Sequence, residues 1–246
     1  LNTGLGATLR NVTGANFNLT GDGAFPHNQG GVQTAFDNRG TFARNTSAGT
    51  ATWGVSFIDS LGNLAINTGT FQLTGGGRLA GTITTSGTST LEFPAGTMSL
   101  KGGFGHSGTG RILLSGATLA SDSGFGNAVS VNNMDFTSGT IAHEGSLTAN
   151  GAFNWTGGTF SSNTVGLGGT TGIATVGVMT VSGAGPHTIT GAHTLQVGGG
   201  TRIDYTGNSA IKVGLGMTIR VQAGGLFDWL GDGILNKNLG GTATFD

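Results

Sequence analysis

The side chains that could do chemistry are few. The chain holds eleven carboxylates, and no two of them are adjacent in sequence. Acid–base work on sugars needs two such groups converging on one face, often with a helping Arg or Lys. Gly105-His106-Ser107-Gly108 sets a histidine beside a serine, but it lacks the G-x-S-x-G elbow and a matched acid, so a solvated loop is expected there. The five histidines, His27, His106, His143, His187 and His193, have no metal-ligand spacing. His187 and His193 lie six apart and could meet only by stacking. Gly21-Asp22-Gly23 and Gly231-Asp232-Gly233 could seat calcium at a glycine–aspartate corner. One Asp per corner supplies too few oxygens, so a capping turn is the expectation and calcium stays an open question.

Other motifs have bland readings that outweigh sharp ones. Arg10 and Arg220 are expected to bond carbonyls of a neighbouring coil, or to pair with Asp22 and Asp232, and not to clamp a ligand. Phe153-Asn154-Trp155 and Phe227-Asp228-Trp229 each put two aromatics on one face of a strand; exposed they would stack sugars, and buried, as expected, they are core. Thr82-Ile83-Thr84 and Thr188-Ile189-Thr190 have the Thr-x-Thr form of an ice-binding rung, but adjoining coils do not repeat it. No catalytic, cofactor-binding or metal-ligating residue is therefore assigned, and no cofactor is expected.

What positions these residues is a succession of very short strands. The pattern is alternating apolar and polar residues closed by Gly, as in Thr50–Ile58, Thr70–Gly77, Thr97–Gly103, Gly177–Gly183 and Thr201–Gly207. Alternation sends successive side chains to opposite faces, and the Gly, Asn, Ser and Asp between strands supply the positive φ that corners need. Strands so short and numerous, with few hairpin turns apart from Asn150-Gly151, indicate a coil that bends every few residues. The expected fold is all-β: a right-handed parallel β-helix, with an antiparallel β-sandwich array as the alternative. Coils near 20 residues predict about a dozen turns. The patches Gly21–Gly31, Gly102–Gly110, Ser121–Asn127 and Ser161–Thr171 read as long corner loops.

Composition agrees. Gly is 51 of 246 residues, yet apolar residues make up 36% and are evenly spread, which is too much for a solvated linker. A net charge of −1 with scattered Lys and Arg gives no footprint for nucleic acid or an anionic membrane. Zero cysteines exclude disulfides and thiolate metal sites. No run approaches 18 apolar residues and no charged-then-apolar leader is visible, so membrane insertion is not expected and any export signal would lie outside the chain.

The chain also repeats itself. Leu5–Gly23, LGATLRNVTGANFNLTGDG, returns 210 residues on as Leu215–Gly233, LGMTIRVQAGGLFDWLGDG, and after one skipped residue Phe36-Asp37 aligns with Phe245-Asp246. The organisation expected is one unit over residues 1–210 and the start of the next over 211–246, continuous with the same solenoid.

At Phe36–Trp53, Phe57–Gly77 and Gly151–Ser162 the chain resembles the repeat regions of large bacterial surface and secreted proteins, the filamentous-haemagglutinin-like and autotransporter-passenger-like β-helices. Their phrases of the form F-x-N-x-G-T and G-T-L-x-L-x-G-G are matched by Phe36-Asp37-Asn38-Arg39-Gly40-Thr41 and by Gly69-Thr70-Phe71-Gln72-Leu73-Thr74-Gly75-Gly76. The resemblance implies a β-helix of pectin-lyase-like architecture, an extracellular or cell-surface setting, and a role in adhesion or surface structure. It carries over no catalytic residues. β-Helical polysaccharide lyases and glycoside hydrolases are the rival class, but their Asn-Thr-Asp, Asp-Asp and Gly-His-Gly phrases are missing, and Arg202-Ile203-Asp204 half resembles an Arg-Ile-Lys phrase. The expected function is a non-enzymatic structural or adhesive module forming a rigid rod by head-to-tail stacking, with partners that are copies of itself or adjacent repeats, and surface glycans. A glycan-binding adhesin is a third class.

Overall fold

The computed structural model describes residues 3–121, 128–142, 145–161, 171–175, 177–191, 193–198, 200–214, 216–237 and 243–246. Among them all but two strands span five residues or fewer, there is no helix, and the strands stack in parallel as a β-solenoid. The antiparallel alternative is excluded by strand direction, as in Phe36↔Phe57 and Leu64↔Ile83, which are parallel partners.

Each turn contributes three strands, one to each of three ladders. The first ladder begins Thr8–Asn11, Ala35–Asn38, Ser56–Asp59. The second begins Asn16–Leu19, Thr41–Arg44, Asn63–Ile66 and has eleven strands among the described residues. The third begins Ala24–Phe25, Thr50–Trp53, Thr70–Leu73. The longer strands Arg111–Ser121 and Met134–Ala142 each run from the third ladder into the first, with register shifts around Ser115 where they turn.

Coils are not uniform, and this corrects the dozen even turns expected. Phe36 and its partner Phe57 are 21 residues apart, but Leu9 and Phe36 are 27 apart and Phe160 and Ile189 are 29 apart. The extra residues leave at corners, so the ladders stay aligned. Two patches read as loops hold strands: Ala24–Phe25 lies within Gly21–Gly31, and Gly105–Gly108 within Gly102–Gly110. Most of the other two patches, residues 122–127 and 162–170, lies outside the described residues, as does His143.

Alternation builds the core. In Thr50–Trp53, Asn63–Ile66 and Thr70–Leu73 the second and fourth residues point inward and are buried. Ring geometry follows the ladders in the early coils. Of the register partners, Phe17 lies flat on Phe42 (5.3 Å, 9°) and Phe36 on Phe57 (5.5 Å, 26°), while Phe25 and Trp53 are tilted by 46°. Rings from different ladders mostly meet edge to face, as Phe36 and Phe42 do with Trp53 at 89° and 88°, which suits the aromatic quadrupole. Phe42 and Phe71, stacked at 28°, are the exception.

The recurring phrase is structurally real, with a twist. Arg10 pairs with Asp37 on the next coil (2.8 Å), and Arg220 pairs with Asp246 on the next coil (3.1 Å). The expected partners, Asp22 and Asp232, are not the ones used. The phrase does not return on the same face, however. Thr8–Asn11 belongs to the first ladder, whereas Met217–Val221 belongs to the second, nine strands after Asn16–Leu19. Leu226–Trp229 is likewise in the third ladder where its counterpart Asn16–Leu19 is in the second. The 210-residue spacing thus amounts to nine turns and one further face.

Candidate functional site

Polar side chains gather at the corners and along the outward row of the third ladder. At the corner after the first ladder, Asn11, Asn38 and Asp59 end three successive strands and form a column. Each points inward because it follows, two residues on, a side chain of the inner row: Phe36 precedes Asn38 and Phe57 precedes Asp59. Asn11 Nδ2 donates to Asn38 Oδ1 (2.8 Å) and to the Thr41 carbonyl (3.0 Å). Asn38 Nδ2 donates to Asp59 Oδ1 (2.9 Å) and to the Asn63 carbonyl (3.3 Å). Glycine is required beside this column: a Cβ on Gly62 would sit 2.4 Å from Asn38 Nδ2 and 2.6 Å from the Gly40 carbonyl oxygen. Asp59 is fully buried, its Oδ2 makes no hydrogen bond, and burial pushes its carboxyl up to about 6.

The Gly21–Gly23 corner already holds a cation, the chain's own Arg44. This guanidinium is fully buried and donates to the carbonyls of Gly21 (2.7 Å), Gly49 (2.9 Å) and Ser47 (3.3 Å). It also pairs with Asp22 Oδ1, while Asp22 Oδ2 accepts from Ser47 Oγ. The Ser47 hydroxyl, followed by Arg44, holds the Asp22 carboxyl below its usual range. Both oxygens of Asp22 are therefore engaged. At the second Gly-Asp-Gly the Asp232 peptide N–H donates to Asn208 Oδ1 (3.4 Å).

His106 corrects the solvated-loop expectation. It is buried on strand Gly105–Gly108, with Nδ1 accepting the Asn132 peptide N–H (3.2 Å) and Nε2 2.8 Å from Thr85 Oγ1. Burial lowers its pKa to about 4. Alternation turns the neighbouring Ser107 outward, so the two do not act together. His187 and His193 lie in the first and second ladders and are not register partners, so stacking does not bring them together.

His187 instead ties three coils. Its Nε2 lies 3.1 Å from the Trp155 carbonyl and its Nδ1 2.9 Å from Ser209 Oγ, and its ring meets Trp155 edge-on at 4.8 Å. A carbonyl only accepts, so Nε2 carries the hydrogen of the neutral ring, and the Ser209 hydroxyl lies within hydrogen-bond reach of both Nδ1 and the Gly183 carbonyl (3.1 Å). Burial lowers the His187 pKa against the opposing pull of its backbone partners, with the Trp155 carbonyl foremost. Ser209 borders an open recess of about 500 Å³ that contains no carboxylate or cation.

Along the third ladder the outward side chains are joined coil to coil. Thr52 Oγ1 donates to Gln72 Oε1 (2.9 Å), Gln72 Nε2 to Glu92 Oε2 (2.8 Å), and Ser115 Oγ to Glu92 Oε1 (2.7 Å). Asp135 receives Arg111 (2.7 Å) and Asn154 (2.7 Å). Asp204 and Asp228 are register partners on adjacent coils, close enough for paired-carboxylate chemistry, but Arg202 lies between them at 2.7 and 3.7 Å. They sit on an open face, not in a cleft.

The remaining motifs are quickly placed. Phe153 and Trp155 are fully buried, as expected; Phe227 packs on the core, and Trp229, on the same face, is 40% exposed against Tyr205. Thr82 and Thr84 are flanked in register by Asn63, Gly105, Ala65 and Ser107, which makes no threonine array. Among the described residues no cluster of three His, Cys, Asp or Glu could hold a metal. Asn38, Arg44 and Asp59, all buried, are polar residues that no sequence motif singled out. The chain matches no protein-family model, no curated protein and no solved structure.

Proposed function

We propose that this chain is a structural and adhesive module of a bacterial extracellular or cell-surface protein, a stiff β-helical rod that extends by head-to-tail stacking of repeats. The observation that carries this reading is the outward row of the third ladder. Its acidic groups Glu92, Asp135 and Asp204 are held by amides, hydroxyls or guanidinium groups of the same wall. Groups fixed in that way stiffen a surface and leave little for a substrate. A solenoid contacts only neighbouring coils, so its length grows by adding repeats.

The rival, a carbohydrate-active β-helix, draws support from the adjacency of Asp204 and Asp228. Arg202 between them favours the structural role, because a guanidinium in contact with both carboxylates occupies oxygens that a substrate would have to reach. Electron microscopy of the concentrated protein tests the proposal. Eleven stacked strands at about 4.8 Å predict rods with an axial length of roughly 50 Å per molecule, and filaments in multiples of it. Dispersed single particles at every concentration, together with release of reducing ends from polysaccharides that is lost in Asp204→Asn, would overturn it.

A further inference from the structure

The Asn11–Asn38–Asp59 column stops abruptly. Asn11 and Asn38 each donate to the next member and to the next corner's backbone. Asp59 has no N–H to donate, and its register partner on the following coil is Leu79, an apolar residue buried in the core. One carboxylate oxygen is thus left without a hydrogen bond in a place water does not reach. An unpaired buried anion is among the costlier arrangements in a protein, and a proton on it removes most of that cost.

The surroundings do not rescue the charge. On the strand below, Asp37 is a second carboxylate, whose repulsion adds to the effect of burial. The cations near it, Arg10 and Arg39, are both bound to Asp37 (2.8 and 2.9 Å). On the strand above, Arg78 is the register partner of Ile58, one position before Asp59, and engages a partner of its own. Across the corner, Asn63 is neutral. The peptide N–H groups of Gly62 and Gly81 and the Asn38 amide favour the anion without cancelling burial.

We propose that this column is a proton-operated latch: Asp59 takes up a proton in mildly acidic surroundings and thereby tightens the corner between Ser56–Asp59 and Asn63–Ile66. The sign follows from linkage. The folded carboxyl titrates near 6 and the unfolded one near 3.8, so the stabilisation is fully present below about 4 and is lost as pH rises through about 6.

The direct test is the ¹³C-carboxyl titration of Asp59 in the unaltered protein, paired with thermal unfolding of Asp59→Asn, which permanently mimics the neutral form. A midpoint within one unit of 6 is expected. The unfolding midpoint of Asp59→Asn should exceed that of the unaltered protein at pH 7.5, with the gap narrowing by more than half at pH 4.5. A midpoint near 4 would overturn the proposal whatever the variant does. So would a gap that stays constant across the range, or a variant that fails to fold at pH 4.5 where the unaltered protein folds.

Discussion

Two stretches of the solenoid solve the same packing problem differently. Between Phe17 and Phe71 the interior is a set of rings: Phe42 alone meets Phe17, Phe36, Trp53, Phe57 and Phe71 within 5.7 Å. Between His187 and Ile219 the inner rows are mostly aliphatic, with Ile189, Leu195, Ile203, Ile211 and Val213 buried around one Tyr205. Coil length does not separate them: early turns take from 20 residues, Thr50 to Thr70, to 28, Phe25 to Trp53, and a late one takes 24, Leu195 to Ile219. The early corners are sealed by Asn38, Asp59 and Arg44, and a late one by His187 with Ser209. The lesson is that the cross-section is set by the inward rows, and coil length by what is placed at the corners.

If the two stretches are independent, damage in one must stay there. Phe42→Ala should cost about 3–5 kcal/mol by urea denaturation, since it empties a fully buried ring site. Its hydrogen-exchange protection should fall over residues 35–73 and stay unchanged over 187–219. Equal loss in both would break the comparison. Arg44→Ala should cost about 3 kcal/mol by emptying a fully buried side-chain site and leaving the Gly21 carbonyl without its donor. Calcium should leave the unfolding midpoint of the unaltered protein where it was; a rise would mean that the Gly-Asp-Gly corners take a metal after all.

The buried histidines sharpen the contrast through pH. His106 titrates near 4 folded and 6.5 unfolded, so its neutral form belongs to the fold and stability falls as pH drops from 6.5 towards 4. His187 is shifted in the same direction. In an Asp59→Asn background, free of the opposing acid, acidification from pH 7 to 4 should lower stability by on the order of 2 kcal/mol. A flat profile would mean that these rings are not sealed. Ser209→Ala, which removes one hydrogen bond from His187, should cost about 1 kcal/mol. Arg220→Gln, at an exposed ion pair, should cost a few tenths of a kcal/mol and become silent in high salt.

Much of this was legible in the residues. Short alternating strands with glycine at their ends require a wall that turns often, and the inward pair Phe153 and Trp155 follows from strand parity alone. The missed residues carried the same signal. Ser56-Phe57-Ile58-Asp59 and Thr41-Phe42-Ala43-Arg44 place a charged residue two positions after an inward aromatic, so parity already directed Asp59 and Arg44 inward. Charge in an otherwise exposed class hid it. His106 was hidden by its glycine neighbours, which suggested a loop, although it stands two residues after buried Phe104. Cross-coil partners were not legible, because register depends on coil length, which varies from 18 residues, Val129 to Leu147, to 29, Phe160 to Ile189. That is why Arg10 was matched to Asp22 instead of Asp37.

The one-face offset of the recurring phrase has a geometric consequence. Two copies of the same motif on one shaft, Arg10 with Asp37 and Arg220 with Asp246, look out in directions about a third of a revolution apart. Motifs spaced by that interval would wind around the shaft like treads of a spiral stair, three to a circuit, so that no single side would carry every copy. A surface met from any direction would then find one of them facing it.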